Sequence, residues 1–373
     1  MQDVRQFGHL DVPTGTEPLN LTWQHPQGMV GLSFINIFFR IITLGIYHFW
    51  GKTEVRRRIW SAIRLNGEPL QYTGTGKELF LGFLVVFGVV LLPLFILNLI
   101  AGVYALDNPS LSGALQLGVS ALIFILLGFG IYRAQRFRLS RTRWRGIRGG
   151  LDGSAGRYAW SYIWTGLLVP ITLGWIIPWR ATKLHGLLVN NMRFGTRPLQ
   201  FAAPSGPLYG RFALLWVGGV MLYAAGIFGV ISILGPSFTQ QSASGKPPLP
   251  PPLQDILAIF AIVFGALLLL SIISASYQAK MLNHFAAHTH FEGAKFKGTA
   301  TAGGLIWLAI SNFLLGVLSL GILAPVAQAR AARYRVENLA IEGRVPLAAI
   351  AQGAAQAGGY GEGIAQAFDF DAV

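Results

Sequence analysis

The sequence contains no cysteine and few charged residues, and each shortage excludes a class of protein. Among its 373 residues there is no Cys, and only 12% are Asp, Glu, Lys or Arg. Without cysteine the chain forms no disulfides, thiolate metal sites or cysteine nucleophiles. Soluble domains carry charge at about a quarter of their positions, whereas this chain is 53% hydrophobic with a mean hydropathy of +0.52. The composition therefore indicates a membrane protein.

Seven apolar stretches are long enough to approach or cross a bilayer, which takes about 20 helical residues. The first 28 residues are mixed polar and lack the apolar core of a signal peptide, so we expect a retained, cytoplasmic amino terminus. The net charge of +14 is explained by Lys and Arg left on the cytoplasmic side, and we expect no nucleic-acid partner. The apolar stretches are 29–50, 79–104, 111–132, 158–179, 208–235, 254–275 and 302–326.

One short motif recurs three times along the chain. Ile42-Thr43-Leu44-Gly45 returns as Ile171-Thr172-Leu173-Gly174, and in degraded form as Leu318-Ser319-Leu320-Gly321. Flanking residues keep a shift of 129 positions from the first copy to the second and of 147 from the second to the third. Internal repeats of this length decide the architecture, so we expect two parallel repeats and a half repeat.

These boundaries divide the chain into five units. We expect a cytoplasmic amino-terminal segment at 1–28, membrane repeat 1 at 29–157, membrane repeat 2 at 158–301, half repeat 3 at 302–345, and a cytoplasmic carboxy-terminal tail at 346–373.

The distribution of Lys and Arg distinguishes two topologies. If all seven segments cross, a group of basic residues lies outside, which is a poor fit to the positive-inside rule. If the three motif-bearing segments instead enter and leave on one face, Lys246 is the basic residue left outside. A glycine that takes positive φ and a hydroxyl that bonds the local backbone suit such a turn. The alternative, in which each motif-bearing segment simply spans, stays open. The basic residues that would lie outside if all seven segments crossed are Arg180, Lys183, Arg193, Arg197, Lys280, Lys295 and Lys297.

Short segments with partial alternation, bounded by Gly and Pro, flank each motif-bearing segment and predict small cytoplasmic β flanks. The expected fold is therefore an all-α polytopic membrane protein with four spanning helices, three Leu-Gly-broken re-entrant segments away from lipid, and these β flanks. The Pro-rich residues 245–252 predict a polyproline spacer on the outer face. The predicted strands are 18–23, 142–147 and 289–296 before the segments, and 69–73, 198–201 and 345–347 after them.

Three stretches carry a family resemblance. Trp50-Gly51-Lys52 with Arg56-Arg57-Arg58-Ile59-Trp60, followed by the run from Leu70 to Phe83, resembles the YjgN-like family of bacterial inner-membrane proteins. The run 132–148 and the closing segment 361–371 are similar to later blocks of that family. The resemblance covers nearly the whole chain and implies a bacterial inner-membrane location and a multi-pass fold. The family's function is unknown, so the resemblance implies no active site.

Arg40 is the sharpest candidate for a functional residue. It lies inside an apolar segment, where an ionised group is costly and marks a functional site, although its side chain could also snorkel towards a polar surface. With the residues of the three turns it forms our set of substrate or cavity candidates. That set is Arg40, Thr43, Gly45, Thr172, Gly174, Ser319 and Gly321.

Basic residues near the strands are candidates for binding lipid headgroups, because Arg binds phosphate through paired hydrogen bonds and anionic lipid lies on the cytoplasmic face. Residues 73–77 lack the spacing of a phosphate loop and predict a capped helix start. His284, His288 and His290 form a weak metal candidate, and we expect no metal and no cofactor. The headgroup candidates are Lys77, Arg141, Arg143, Arg145 and Arg148.

No acid–base pair, serine triad or carboxylate set for a metal emerges, so we expect no enzyme. The favoured function is transport or permeation of a small solute, with an anion favoured by Arg40, because broken membrane segments build the midplane sites of many transporters. The alternative is a non-transporting scaffold or a protein that binds anionic lipid. The lipid bilayer and anionic phospholipids are the expected partners, and the oligomeric state stays open.

Overall fold

The computed structural model describes residues 15–105, 108–244 and 251–351. Most of the predicted polyproline spacer and the whole closing segment 361–371 lie outside these residues. The described chain is mostly helical. Its α-helices are α1 (Met29–Ile42), α2 (His48–Ala62), α3 (Gly76–Val86), α4 (Leu92–Val103), α5 (Pro109–Arg141), α6 (Ala155–Ile171), α7 (Ile177–Val189), α8 (Gly206–Ser244), α9 (Leu253–Ala287), α10 (Ala302–Leu318) and α11 (Ala324–Glu337).

Four helices among the described residues are long and apolar enough to cross a membrane, as the sequence predicts. A π-helical turn at Phe87–Leu91 joins α3 and α4 into the first of them. At one end each helix extends beyond the apolar stretch predicted from sequence and includes neighbouring polar residues. The first begins with a capping box between Thr75 and Glu78, which confirms the predicted capped start. The four are Gly76–Val103, Pro109–Arg141, Gly206–Gly235 and Leu253–Ala287.

The chain is mostly helical, as expected, but it is not all-α, because thirteen strands form three sheets in the described residues. They include the predicted β flanks. The strands are β1 (Glu17–Pro18), β2 (Leu21–Trp23), β3 (Ile63–Leu65), β4 (Glu68–Pro69), β5 (Gln71–Tyr72), β6 (Thr142–Trp144), β7 (Ile147–Leu151), β8 (Met192–Phe194), β9 (Arg197–Pro198), β10 (Gln200–Phe201), β11 (Thr289–Phe291), β12 (Ala294–Gly298) and β13 (Leu339–Val345).

The strands gather at one end of the molecule. Their sheet orders are β2-β3-β4, β5-β6-β7-β8-β9 and β1-β13-β12-β11-β10. Leu19, Trp144, Phe291 and Val345 form one buried cluster, so strands from distant parts of the chain share a single core. We call this assembly the strand layer. It was underestimated from sequence because strand partners such as Gln71 and Arg143 are far apart in the chain.

Three pairs of shorter helices leave the strand layer and return to it. We name them hairpin 1 (α1 and α2), hairpin 2 (α6 and α7) and hairpin 3 (α10 and α11). The strands on either side of each pair are hydrogen-bonded antiparallel, β2 with β3, β7 with β8, and β12 with β13. Both ends of each hairpin therefore lie at the same end of the molecule.

The helices close into a ring in which long and short pairs alternate. Contacts run from α2 to α3, from α5 to α6, from α7 to α8 and from α9 to α10. Hairpin 3 then packs directly on hairpin 1, where Met29, Leu32 and Ile59 bury against Ala329 and Ala332. No spanning pair separates these two hairpins within the described part of the chain.

The hairpins are less enclosed than expected. Leu44 and Leu320, at the tips of hairpins 1 and 3, are 93% and 91% exposed, and Leu173 is 74% exposed. The outer faces of α1 and α10 also present large apolar side chains such as Phe38 and Trp307. Hairpins 1 and 3 each contact a long helix on one side and each other on the second side, and their outer faces and tips stay exposed.

Candidate functional site

The recurring motif forms the same turn in all three hairpins. Leu44, Leu173 and Leu320 have φ of 49°, 48° and 50°, and the glycines that follow have φ of 92°, 84° and 80°. Two consecutive left-handed residues reverse the chain, and the second position favours glycine for this reason. Each glycine amide donates to a carbonyl five residues earlier over 2.7 Å. The sequence predicted the glycine break, but not that leucine shares it.

The hydroxyl before each leucine bonds to both helices of its hairpin. Thr43 Oγ1 donates to the Phe39 carbonyl at 2.7 Å and accepts from the Tyr47 amide at 2.9 Å. Thr172 and Ser319 make the same pair of bonds in hairpins 2 and 3. These hydroxyls satisfy backbone groups that the turn would otherwise leave unpaired.

A polar cavity of about 110 Å³ lies between hairpins 1 and 3, and we call it the turn cavity. Arg40 lines it and donates a hydrogen bond to His48 Nδ1. Asn36, Lys52 and Gln328 also line the cavity, and no Asp or Glu does so among the described residues.

Asn36 has a buried amide oxygen with no hydrogen-bond partner in the described structure. Its side chain packs against Gly51, where an added Cβ would come within 2.9 Å of that oxygen. A buried acceptor without a partner is costly, and here it belongs to a residue of the cavity wall. It faces Gly51 in the packing between the two helices of hairpin 1.

The candidates chosen from sequence divide between two places. Arg40 and Gly321 line the turn cavity. Thr43, Gly45 and Ser319 belong to the turns beside it, whereas Thr172 and Gly174 form the turn of hairpin 2 and do not line it. Sequence reasoning missed Asn36, His48, Lys52 and Gln328, whose polar character within or beside apolar segments was the available signal.

The predicted headgroup arginines are largely engaged within the protein. Arg141 pairs with Glu78 at 2.7 Å. Arg145 pairs with Glu68 at 3.1 Å and with Glu17 at 3.5 Å. The other three candidates are Arg143 and Arg148, which face each other across β6 and β7, and the exposed Lys77 in the first turn of α3.

The weak metal candidate is arranged for hydrogen bonding. His284 Nε2 lies 2.7 Å from the Pro204 carbonyl, and His288 Nδ1 lies 2.8 Å from the His284 carbonyl. His290 belongs to β11, where it pairs with Gln200. The described residues hold no group of three His, Cys, Asp or Glu side chains suited to a metal ion.

Comparison with known proteins decides the family. The family described as "Bacterial protein of unknown function (DUF898)" matches residues 27–367. The chain belongs to this DUF898 family. It is 20% identical over 349 residues to the inner membrane protein YjgN of Salmonella typhimurium, covering 84% of this chain and 85% of that protein. The YjgN-like resemblance is thereby confirmed.

A second relative of this DUF898 protein is the inner membrane protein YjgN of Escherichia coli O157:H7. It is 24% identical over 151 residues, which is 40% of this chain and 35% of that protein. No solved structure matches the chain. The relatives' names and the four apolar helices agree with the predicted membrane location.

Proposed function

We propose that this DUF898 protein is a multi-pass inner-membrane protein that lets a small anion pass, with the turn cavity as its binding site. The observation that carries the proposal is Arg40. Its permanent charge sits in an apolar helix beside a cavity that no carboxylate lines among the described residues. An ionised side chain within an apolar membrane segment is costly, and such residues commonly mark functional sites.

The proposal includes a re-entrant topology with parallel repeats. Helices α1, α6 and α10 have 14, 17 and 17 residues, or about 21 to 26 Å at 1.5 Å per residue. This is shorter than a hydrocarbon core of about 30 Å. Because both ends of each hairpin meet the strand layer, this topology puts the strand layer and both chain termini on the cytoplasmic face, where basic residues collect.

In this proposal Arg40 exchanges partners when an anion arrives. The Arg40 guanidinium donates to His48, and an anion provides a stronger, charge-assisted acceptor. A cavity of about 110 Å³ suits an anion of a few atoms, given that a water molecule takes about 30 Å³ in the liquid.

The test is anion flux into liposomes that contain the purified full chain. Gradients of chloride, nitrate, acetate and phosphate are applied in turn, and flux is recorded electrically. We expect flux of at least one anion, and loss of most of it in Arg40→Gln. Lys297→Gln is the matched control, because it removes a cation from the strand layer, where Lys297 pairs with Glu342 at 3.3 Å.

Absence of flux for all four anions with the unaltered chain would overturn the proposal. So would equal flux in Arg40→Gln and the unaltered chain. The scaffold or lipid-binding alternative rests mainly on the arginine run, and the ion pairs of Arg141 and Arg145 weaken it there. The proposal involves no enzymatic step and no cofactor.

A further inference from the structure

A second cavity, of about 660 Å³, opens at the base of hairpin 2, beside the strand layer. Sequence reasoning did not select its residues. We call it the basal cavity. Its wall combines the start of α6, the end of α7 and the loop that leads into α8, with Arg157, Trp179, Lys183, Asn190 and Ser205 among the lining residues.

The basal cavity carries positive charge that no lining carboxylate balances. Lys183 Nζ lies 4.5 Å from the ring of Trp164 and 4.8 Å from that of Trp179, so two indoles hold the ammonium in place. No Asp or Glu lines this cavity in the described part of the chain. The two indoles fix the ammonium at the wall without neutralising it.

Arg157 adds a second cation in an unusual position. It lies in the first turn of α6, which contains no acidic residue. A helix amino terminus already bears partial positive charge, so a cation there is unfavourable on its own. The amino terminus of α8 follows Ser205 in the same wall. An anion in the cavity would offset all of these charges at once.

Hairpin 1 shows why the cavity is open in hairpin 2. Counted from the turn leucines, Arg57 occupies the position of Gly186, and its Nη2 donates to the Gly74 carbonyl at 3.1 Å. Gly74 corresponds to Ala203, which lines the basal cavity. The arginine side chain therefore fills in hairpin 1 the space that Gly186 leaves empty in hairpin 2.

Charge changes in the same comparison. Lys183 corresponds to Glu54 of hairpin 1, which pairs with Arg58 at 3.4 Å. In hairpin 3 the position of Gly186 is held by Arg333, which pairs with Glu337 at 2.8 Å. The clusters of hairpins 1 and 3 thus contain their own carboxylates, whereas the charged residues that line the basal cavity, Arg157 and Lys183, are both cations. The nearby carboxylate of Asp152 pairs with Arg193 at 3.0 Å.

We infer that the basal cavity is a binding site for a phosphate group. A lysine held between two indoles, an exposed arginine at the cavity wall and a helix amino terminus are groups of the kinds that bind phosphate in proteins. The phosphate can belong to the headgroup of an anionic phospholipid or to a soluble phosphate, since both offer the same anionic oxygens. This site is separate from the turn cavity and does not depend on anion transport.

The test measures binding to the full chain in lipid nanodiscs by native mass spectrometry. The probes are short-chain phosphatidylglycerol, phosphatidylcholine as the uncharged reference, and inorganic phosphate. Lys183→Gln and Arg157→Gln each remove a cation from the cavity without adding bulk. Lys297→Gln is the matched control, because it removes a cation from the strand layer, where Lys297 pairs with Glu342 at 3.3 Å.

We expect the unaltered chain to prefer phosphatidylglycerol over phosphatidylcholine, and each of Lys183→Gln and Arg157→Gln to weaken that binding about tenfold, as for loss of one charge-assisted contact. Lys297→Gln and Arg40→Gln should bind as the unaltered chain does. If inorganic phosphate binds and the same two variants weaken it, the inference holds with a soluble ligand. Binding of neither probe, or binding unaffected by Lys183→Gln, would overturn it.

Discussion

The indole nitrogen of Trp216 donates a hydrogen bond to the carbonyl oxygen of Leu173 over 2.7 Å. Leu173 is the left-handed residue at the tip of hairpin 2, and Trp216 belongs to the spanning helix α8. The Trp216 ring also packs edge-on against Trp175, with ring centroids 5.7 Å apart. One hydrogen bond therefore fastens a broken segment to a long helix at the level of the turn.

Replacing Trp216 with phenylalanine should loosen this attachment. Trp216→Phe keeps an aromatic ring but removes the donor, so we expect a loss of about 1 kcal/mol in the free energy of unfolding. Thermal unfolding of the purified protein in detergent measures the change. Trp160→Phe is the control, because Trp160 is 66% exposed. Equal melting temperatures for both variants would contradict a stabilising role for the bond.

Gly128 should be intolerant of a side chain because it lies where α5 meets α6. An added Cβ would come within 2.9 Å of the Ala159 Cα, so the two helices approach through their backbones. We expect Gly128→Val to destabilise the protein by about 1–3 kcal/mol through overpacking. Gly118→Val lies on the same helix with nothing within 4 Å of the added Cβ, and should be neutral in the same unfolding measurement.

The helices were largely predictable from sequence, and the sheets were not. Apolar runs such as 254–275 identify a spanning helix by composition alone, and the Thr-Leu-Gly motif indicated the break at Gly174. Strand pairing is harder to predict, because paired strands such as β12 and β13 are separated in the chain by the whole of hairpin 3. No local periodicity records which distant strands will meet.

His185 should make stability depend on pH below neutrality. Its ring stacks on Phe285 at 4.4 Å and meets Phe201 edge-on at 4.8 Å. Burial lowers the pKa of His185 to about 4 from its ordinary 6.5. Between pH 6.5 and 4 the unfolded chain therefore binds a proton at His185 that the folded chain does not bind. The free energy of unfolding falls as the pH is lowered through this range.

Removing the titrating group should abolish that part of the pH dependence. A shift of this size corresponds to at most about 3.5 kcal/mol, at ~1.4 kcal/mol per pKa unit. Melting temperatures of the unaltered chain and of His185→Phe are compared at pH 7.5, 5.5 and 4.5. We expect the difference between them to change in favour of the variant as the pH falls. A constant difference across that range would contradict the burial of a neutral imidazole.

Accessible cysteines should report the topology, since the natural chain has none. Ser154→Cys lies just before hairpin 2 in the chain and Thr196→Cys lies after it. Asn108→Cys lies in the connection between α4 and α5. With a membrane-impermeant maleimide on oriented vesicles, we expect positions 154 and 196 to react from one face and position 108 from the other. Reaction of 196 together with 108 would mean that hairpin 2 crosses the membrane.

Some residues of the two cavities could be predicted from the sequence, and others could not. Arg40 was identifiable because an isolated charge in an apolar segment is conspicuous. Its contact with His48 and the opposing wall from Gln328 depend on the packing of hairpin 3 on hairpin 1. The basal cavity was harder to find, because it arises from the small size of Gly186.

The pairing of β1 with β13 has a consequence for the order of assembly. Glu17 lies opposite Val345 and Pro18 opposite Arg344, so one of the first strands made completes its sheet with one of the last. A chain still being synthesised can insert its four long helices, but β1 has no partner until β13 has been made. The helical ring closes slightly earlier, since a product truncated before Ala329 leaves the buried faces of Met29, Leu32 and Ile59 uncovered.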